Sequence, residues 1–204
     1  MRQKFPLAIA YATSYRYSIN EHFYEPVFSG DLPGIGFCGL VANFHQWSRK
    51  ANFFFTSSLC VSRQRVIEEK LFFPEGEQHG EDVDLFFRLA ESGDIAFLRK
   101  SLVIYRLSSE NSLSCSNTKD SILPCYTRLI DRLEQGLIPA RFASDVKRTY
   151  ANQLMQIAMT YGGRGQTRKA FDCLVKPYAL SARFYWAKTA LILFRGMLMK
   201  ILGS

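Results

Sequence analysis

Residues 80–89, Gly80-Glu81-Asp82-Val83-Asp84-Leu85-Phe86-Phe87-Arg88-Leu89, crowd three carboxylates into one turn of a helix and follow them with an arginine. Carboxylates placed there can do acid–base work on a bound hydroxyl. The same acids also suit the positive end of a helix dipole, which needs no chemistry. Arg88 stands four residues after Asp84, the spacing of an ion pair along one helix face. Spacing alone leaves both accounts open.

Other polar residues narrow the choices. Ser57 and Ser58 lie in the run Phe53-Phe54-Phe55-Thr56-Ser57-Ser58-Leu59-Cys60-Val61, where isolated serines read as strand-end hydroxyls. His22, His45 and His79 show no metal-ligand spacing, and the five cysteines form an odd set without a CxxC pair. Neither a zinc site nor a disulfide framework follows, and reduced thiols in a cytosolic compartment are expected. Asp82-Val83-Asp84 spells Asp-x-Asp, but it opens an amphipathic helix, so the match reads as coincidence.

The elements that must hold these residues belong to a mixed α/β class followed by an all-α tail. Residues 5–17 read as a strand, Phe5 to Tyr11 running into a polar edge, Phe53 to Val61 as a second, and Ser62 as the cap of a helix over 63–70. The stretch 18–50 is broken by Pro26, Gly30, Pro33, Gly34, Gly36 and Gly39, as in a binding loop or lid. Leu85, Phe86 and Leu89 give the acidic helix its buried face, and Gly93 its stop. Ile95–Leu98 and Leu102–Tyr105 read as two short strands. Beyond Asn117 the periodicity turns helical: Val146, Tyr150, Leu154, Ile157 and Tyr161, then a second helix over about 166–178. Such a hairpin cannot bury its own face and needs a neighbour. The expected organisation is 1–117 and 118–204.

In order, the serine-bearing strand, Leu71-Phe72-Phe73-Pro74-Glu75-Gly76, Gly80 to Leu89, and Leu102-Val103-Ile104-Tyr105-Arg106 resemble the second half of family 2 glycosyltransferases of the GT-A fold. The resemblance spans roughly residues 5–114. It implies a partial GT-A-like mixed sheet with flanking helices. It also implies sugar transfer from a nucleotide-sugar donor to a glycan or lipid-linked acceptor. Carried over residue by residue, Asp82 falls on the family's general base, with Glu81 before it in the Glu-Asp motif. Arg88 falls on the arginine that braces the site, Ser57 and Ser58 on the strand end beside the donor sugar, and Tyr105-Arg106 on the end of the core. A divalent metal, manganese or magnesium, is expected for the intact family enzyme.

The chain departs from the family pattern in three ways. Ser108 stands where members often carry a histidine, and serine is a poor metal ligand. Gln46, Trp47 and Arg49 do not form the QxxRW motif of processive synthases. Members also begin with a nucleotide-binding βαβ region and a metal-holding Asp-x-Asp, which nothing before Phe5 supplies. The chain is therefore expected to be the acceptor-side half, inactive and poorly soluble alone, with Phe53, Phe54 and Phe55 partly uncovered. A non-catalytic remnant or interaction module is the competing expectation.

Charge separates the two halves. The net charge is +8, yet 141–204 alone holds 11 Lys/Arg against two acids. No groove-reading motif accompanies it, so nucleic acid is not an expected partner. Phe184 to Leu202 is apolar nearly all round, interrupted by Lys188, Arg195 and Lys200. That composition suits a helix over 183–202 lying on an anionic membrane surface, or one covering the hairpin before it. No stretch suggests a signal peptide or a membrane span, so a cytoplasmic location is expected, with the membrane's inner face as a peripheral one.

Overall fold

Small and aromatic residues alternate along β1, Ala10–Ile19, and set the centre of a five-stranded mixed sheet. The computed structural model of the chain describes residues 1–28, 30, 32–107 and 121–202, with side chains through 199. It divides into two compact units, 1–117 and 118–204. The first is mixed α/β and the second all helical.

In the first unit β1 lies parallel to β5, Ile95–Arg106. Its other edge carries β4, Leu59–Val61, against Ala10–Ala12, and β2, His22–Tyr24, against Tyr17–Ile19, both antiparallel. β3, Cys38–Leu40, closes the far side of β5 at Ala96–Leu98. The β1–β5 register shifts on both sides of Ser14. A shift of this kind moves side chains to the opposite face. Accordingly Ala10, Ala12 and Ser14 are buried on one parity, and Tyr15 is buried directly after Ser14.

Several expectations change here. The first strand begins at Ala10, not Phe5, because ladder bonding starts beside it: Ile9 N–H donates to Asp94 O at 2.9 Å and Ser62 N–H to Ile9 O at 2.8 Å. Phe53 to Phe55 form no strand; a 3₁₀ turn over Thr56–Ser58 follows, and β4 is only three residues long. The helix after it, α2, runs Arg63–Glu68, and Ser62 makes no side-chain cap bond. The two runs read as separate strands are one, β5, whose irregular register at residues 98–103 absorbs Arg99 and Lys100.

The stretch 18–50 is less free than its glycines and prolines suggest. It contains β2, β3 and α1, Phe44–Ser48, whose Asn43 cap accepts from Gln46 N–H at 3.1 Å. Arg99 pins the rest: its guanidinium lies over the Phe28 ring at 4.4 Å and donates to Pro33 O.

The core of this unit is aromatic. Phe53 packs edge-on to Phe54, Trp47 and Phe97, and Phe54 meets Phe86 of α3, Glu81–Ser92, at 4.9 Å. Phe53 and Phe54 are therefore covered, contrary to the expectation from sequence. Uncovered apolar residues on the sheet include Leu102 and Ile104 on β5, and Phe23 and Tyr24 on β2.

The second unit comprises α4 (Pro124–Glu134), α5 (Ala143–Gly163), α6 (Thr167–Leu174) and α7 (Arg183–Leu202). Leu154, Met155, Ile157 and Ala158 of α5 pack with Ala170, Cys173 and Leu174 of α6 and Leu193 of α7. The hairpin thus finds its cover in α7, as its open face required. α5 runs through Gly162 and Gly163 and stops at Arg164, before Gly165 at φ +73°. α6 ends at Leu174, four residues short of Tyr178, which takes a left-handed conformation. Trp186 Nε1–H donates to Leu174 O at 2.9 Å and ties α7 to that end.

Candidate functional site

α3 opens after Gly80, whose left-handed φ of +81° turns the chain into the helix. Glu81, Asp82 and Asp84 occupy the first turn, where unpaired backbone N–H groups favour anions. The three acids then part company. Asp84 is 2% exposed and accepts from Arg88 Nε at 2.8 Å. Arg88 also donates through Nη2 to Phe72 O, so it fastens the 71–73 segment to the helix.

Asp82 turns its Oδ1 to the neighbouring Val83 N–H at 2.7 Å. Burial raises its carboxyl above the ordinary carboxylate range. The Val83 bond opposes that rise, and the adjacent Glu81 charge adds to it. Glu81 Oε2 is buried without a hydrogen-bond partner among the described residues. The result is two neighbouring carboxylates taken partly out of water, one with raised proton affinity. Such a pair can accept a proton from a bound hydroxyl.

The remaining sequence-derived site residues gather away from this turn's hydrogen bonds. Ser58 is buried, and its hydroxyl both accepts from Phe55 N–H and donates to Phe55 O, each at 3.0 Å. Ser57, beside it on the 3₁₀ turn, is exposed. Phe55 stacks on Tyr105 with ring centres 4.5 Å apart and tilts against Tyr15 at 4.4 Å. Arg106, at the end of β5, is exposed. The structure thus brings Ser58 and Tyr105 together on Phe55, and Asp84 and Arg88 into a separate ion pair. Phe54, the residue before Phe55, meets Phe86 of α3.

Ser108, like residues 109–120, lies outside the described residues. Among the described residues no three His, Cys, Asp or Glu side chains cluster as a metal site requires. Asp82-Val83-Asp84 does not fit a divalent cation, because Asp84 is buried and its carboxylate is taken by Arg88.

Two groupings escaped the sequence reading. His45 of α1 is fully buried, stacked on Phe87 at 5.1 Å, with Nε2 3.5 Å from Glu91 Oε1. Tyr15 OH donates to Asn52 O at 2.7 Å and lies 2.9 Å from Tyr17 OH, and burial pushes its phenol far above the usual range. Both join residues far apart in the chain. Only the i, i+2 spacing of the tyrosines was visible beforehand.

Compared with family models, with curated proteins and with solved structures, the chain matches none.

Proposed function

We propose that residues 1–117 form the acceptor side of a glycosyltransferase of the family 2, GT-A-like type, with Asp82 as general base. The observation that carries the reading is the partly desolvated Asp82 carboxylate at the start of α3, with its raised proton affinity. In the reaction, Asp82 takes the proton from an acceptor hydroxyl as that oxygen attacks the anomeric carbon. The bond from that carbon to the nucleoside diphosphate breaks, and the diphosphate departs with the electron pair.

Glu81 keeps the negative potential high beside the base. Arg88 holds the turn in place through Asp84 and Phe72 O. Ser57, Tyr105 and Arg106 offer polar groups to the sugar or its acceptor, with Ser58 shaping the turn that carries Ser57. The family resemblance implies manganese or magnesium, but no fitting donor set exists among the described residues, and no step is assigned to a metal. The reading puts the chain in the cytoplasm, where nucleotide sugars are available. Its substrates are a nucleotide-sugar donor and a glycan or lipid-linked acceptor.

A second reading is a non-catalytic interaction module. What favours it is that Ser58, Arg88 and Tyr105 are each already engaged by the fold. One experiment separates the two. Joined to a donor-binding βαβ region, the chain is assayed for nucleoside diphosphate release from a panel of nucleotide sugars. Release that falls ~10²–10⁴-fold in Asp82→Asn supports the transferase. Release that does not depend on Asp82, or no release with any donor, supports the module.

A further inference from the structure

The inward face of α7 is spent inside its own unit: Thr189 and Leu193 are buried, and Trp186 bonds to the end of α6. The opposite face is equally apolar. Phe184 is 86% exposed, Leu191 69%, Phe194 50% and Leu198 40%. Their spacing of seven, three and four residues places them in one stripe along the helix. Lys188 and Arg195, also exposed, run beside that stripe, and residues 183–202 contain no acid.

We propose that this outward face docks on an anionic lipid membrane, with α7 lying in the interface while its inward face stays on α5 and α6. The inference stands on its own observations and does not need the glycosyl-transfer reading. A helix with two apolar faces needs cover on both, and this unit covers only the inward one. Among the described residues no helix is long and apolar enough to cross a membrane, which leaves an orientation along the surface.

Charge selects the occupant. A second copy seated on the stripe would bring the Lys188 and Arg195 rows together without an acid to pair them. An anionic headgroup layer supplies the missing negative charge and accepts the apolar stripe below it. The surplus of bases over 141–204 acts in the same direction.

The test is flotation of the full chain with vesicles of phosphatidylcholine alone, and of equal parts phosphatidylcholine and phosphatidylglycerol. Recovery with the anionic vesicles only is expected, falling as salt rises. Phe184→Ser combined with Leu191→Ser should reduce that affinity at least tenfold, on the order of the transfer loss for two large side chains. Lys188→Glu combined with Arg195→Glu leaves the stripe and the packed face intact. It should cost about fivefold or more per residue. Circular dichroism confirms that both variants keep their helices, and the charge pair serves alone if the stripe pair does not. Failure of the unaltered chain to float overturns the proposal, as does equal recovery of the charge variant. A lipid-free dimer in light scattering that Phe184→Ser/Leu191→Ser dissolves also overturns it, and assigns the face to a second copy. Since no sugar nucleotide enters the assay, either result leaves the transferase reading to its own test.

Discussion

A Cβ added to Gly162 of α5 would stand 2.2 Å from Leu193 Cδ2 of α7, whereas one added to Gly163 would meet nothing within 4 Å. Two adjacent glycines at the end of one helix therefore have opposite meanings. Gly162 is the seat of Leu193, and Gly163 is only a weak helix residue. Gly162→Val should destabilise the second unit by about 1–3 kcal/mol, since the buried Leu193 side chain must shift to make room. Gly163→Ala should instead stabilise it by about 0.5 kcal/mol. Thermal unfolding of the two variants should shift in opposite directions, and a common direction would mean that α7 does not pack there.

Arg88 gives a prediction about stability that is separate from chemistry. Arg88→Met removes the cation beside a carboxylate that is 2% exposed, and also the bond to Phe72 O. Removing one partner of a fully buried pair costs about 3–5 kcal/mol. Arg88 is partly exposed, so about 2 kcal/mol is the expected loss. Adding Asp84→Asn should recover part of it, because the neutral amide no longer needs the cation. Urea unfolding of both variants checks this, and equal stability of Arg88→Met and the parent would remove Arg88 from its bracing role.

How far the sequence could be read depended on the range of each interaction. The acidic helix was visible because Leu85, Phe86 and Leu89 recur at helical spacing and Gly93 follows them. The division near residue 117 was visible because strand-like runs give way to helical periodicity and charge changes sign of balance. What escaped was set by partners distant in the chain. Phe53 to Phe55 look like a strand by composition, but their rings are spent on Phe44, Trp47, Phe86 and Tyr105, and among the described residues no strand pairs their backbone. β5 looked like two strands because Arg99 and Lys100 interrupt its apolar run, and only the register against β1 shows the continuity. At the candidate site the Asp84–Arg88 pair was legible from its spacing. The differing environments of Asp82 and Asp84, two residues apart, were not.

The two serines should separate in the same manner. Ser58 closes the turn by bonding both Phe55 N–H and Phe55 O. Ser58→Ala leaves that N–H without its partner and should cost about 1–2 kcal/mol. Ser57 is exposed, so Ser57→Ala should change stability by less than about 0.5 kcal/mol. If Ser57 faces a sugar, its loss instead raises KM in the joined enzyme. Denaturation curves and steady-state kinetics on the pair decide between a structural turn and a substrate contact. A destabilised Ser57→Ala would show that the turn depends on both hydroxyls.

Asp82 links stability to pH with a sign opposite to that of a salt-bridged carboxylate. Its folded carboxyl binds a proton more readily than an unfolded one, chiefly because burial disfavours the charge. Below the ordinary carboxylate value of about 3.9, both states are protonated and Asp82 costs the fold nothing. As pH rises from there to the raised folded value, the folded state holds the extra proton. Stability therefore falls across that window and then stays at a lower plateau. Asn at this position is never charged and escapes the loss. Asp82→Asn should thus be more stable than the parent at pH 7, by a margin that shrinks as pH drops toward the ordinary value. Other titrating groups are common to both proteins and cancel in the difference, apart from the adjacent Glu81, whose charge acts on Asp82. Urea unfolding of parent and variant, measured from pH 7 down to about pH 4, follows the margin directly. A variant less stable than the parent at neutral pH would mean that the Val83 contact outweighs desolvation, leaving a helix-capping carboxylate. A variant that gains stability while transfer is lost would mark Asp82 as a residue whose placement the fold tolerates at a cost, as expected of a general base.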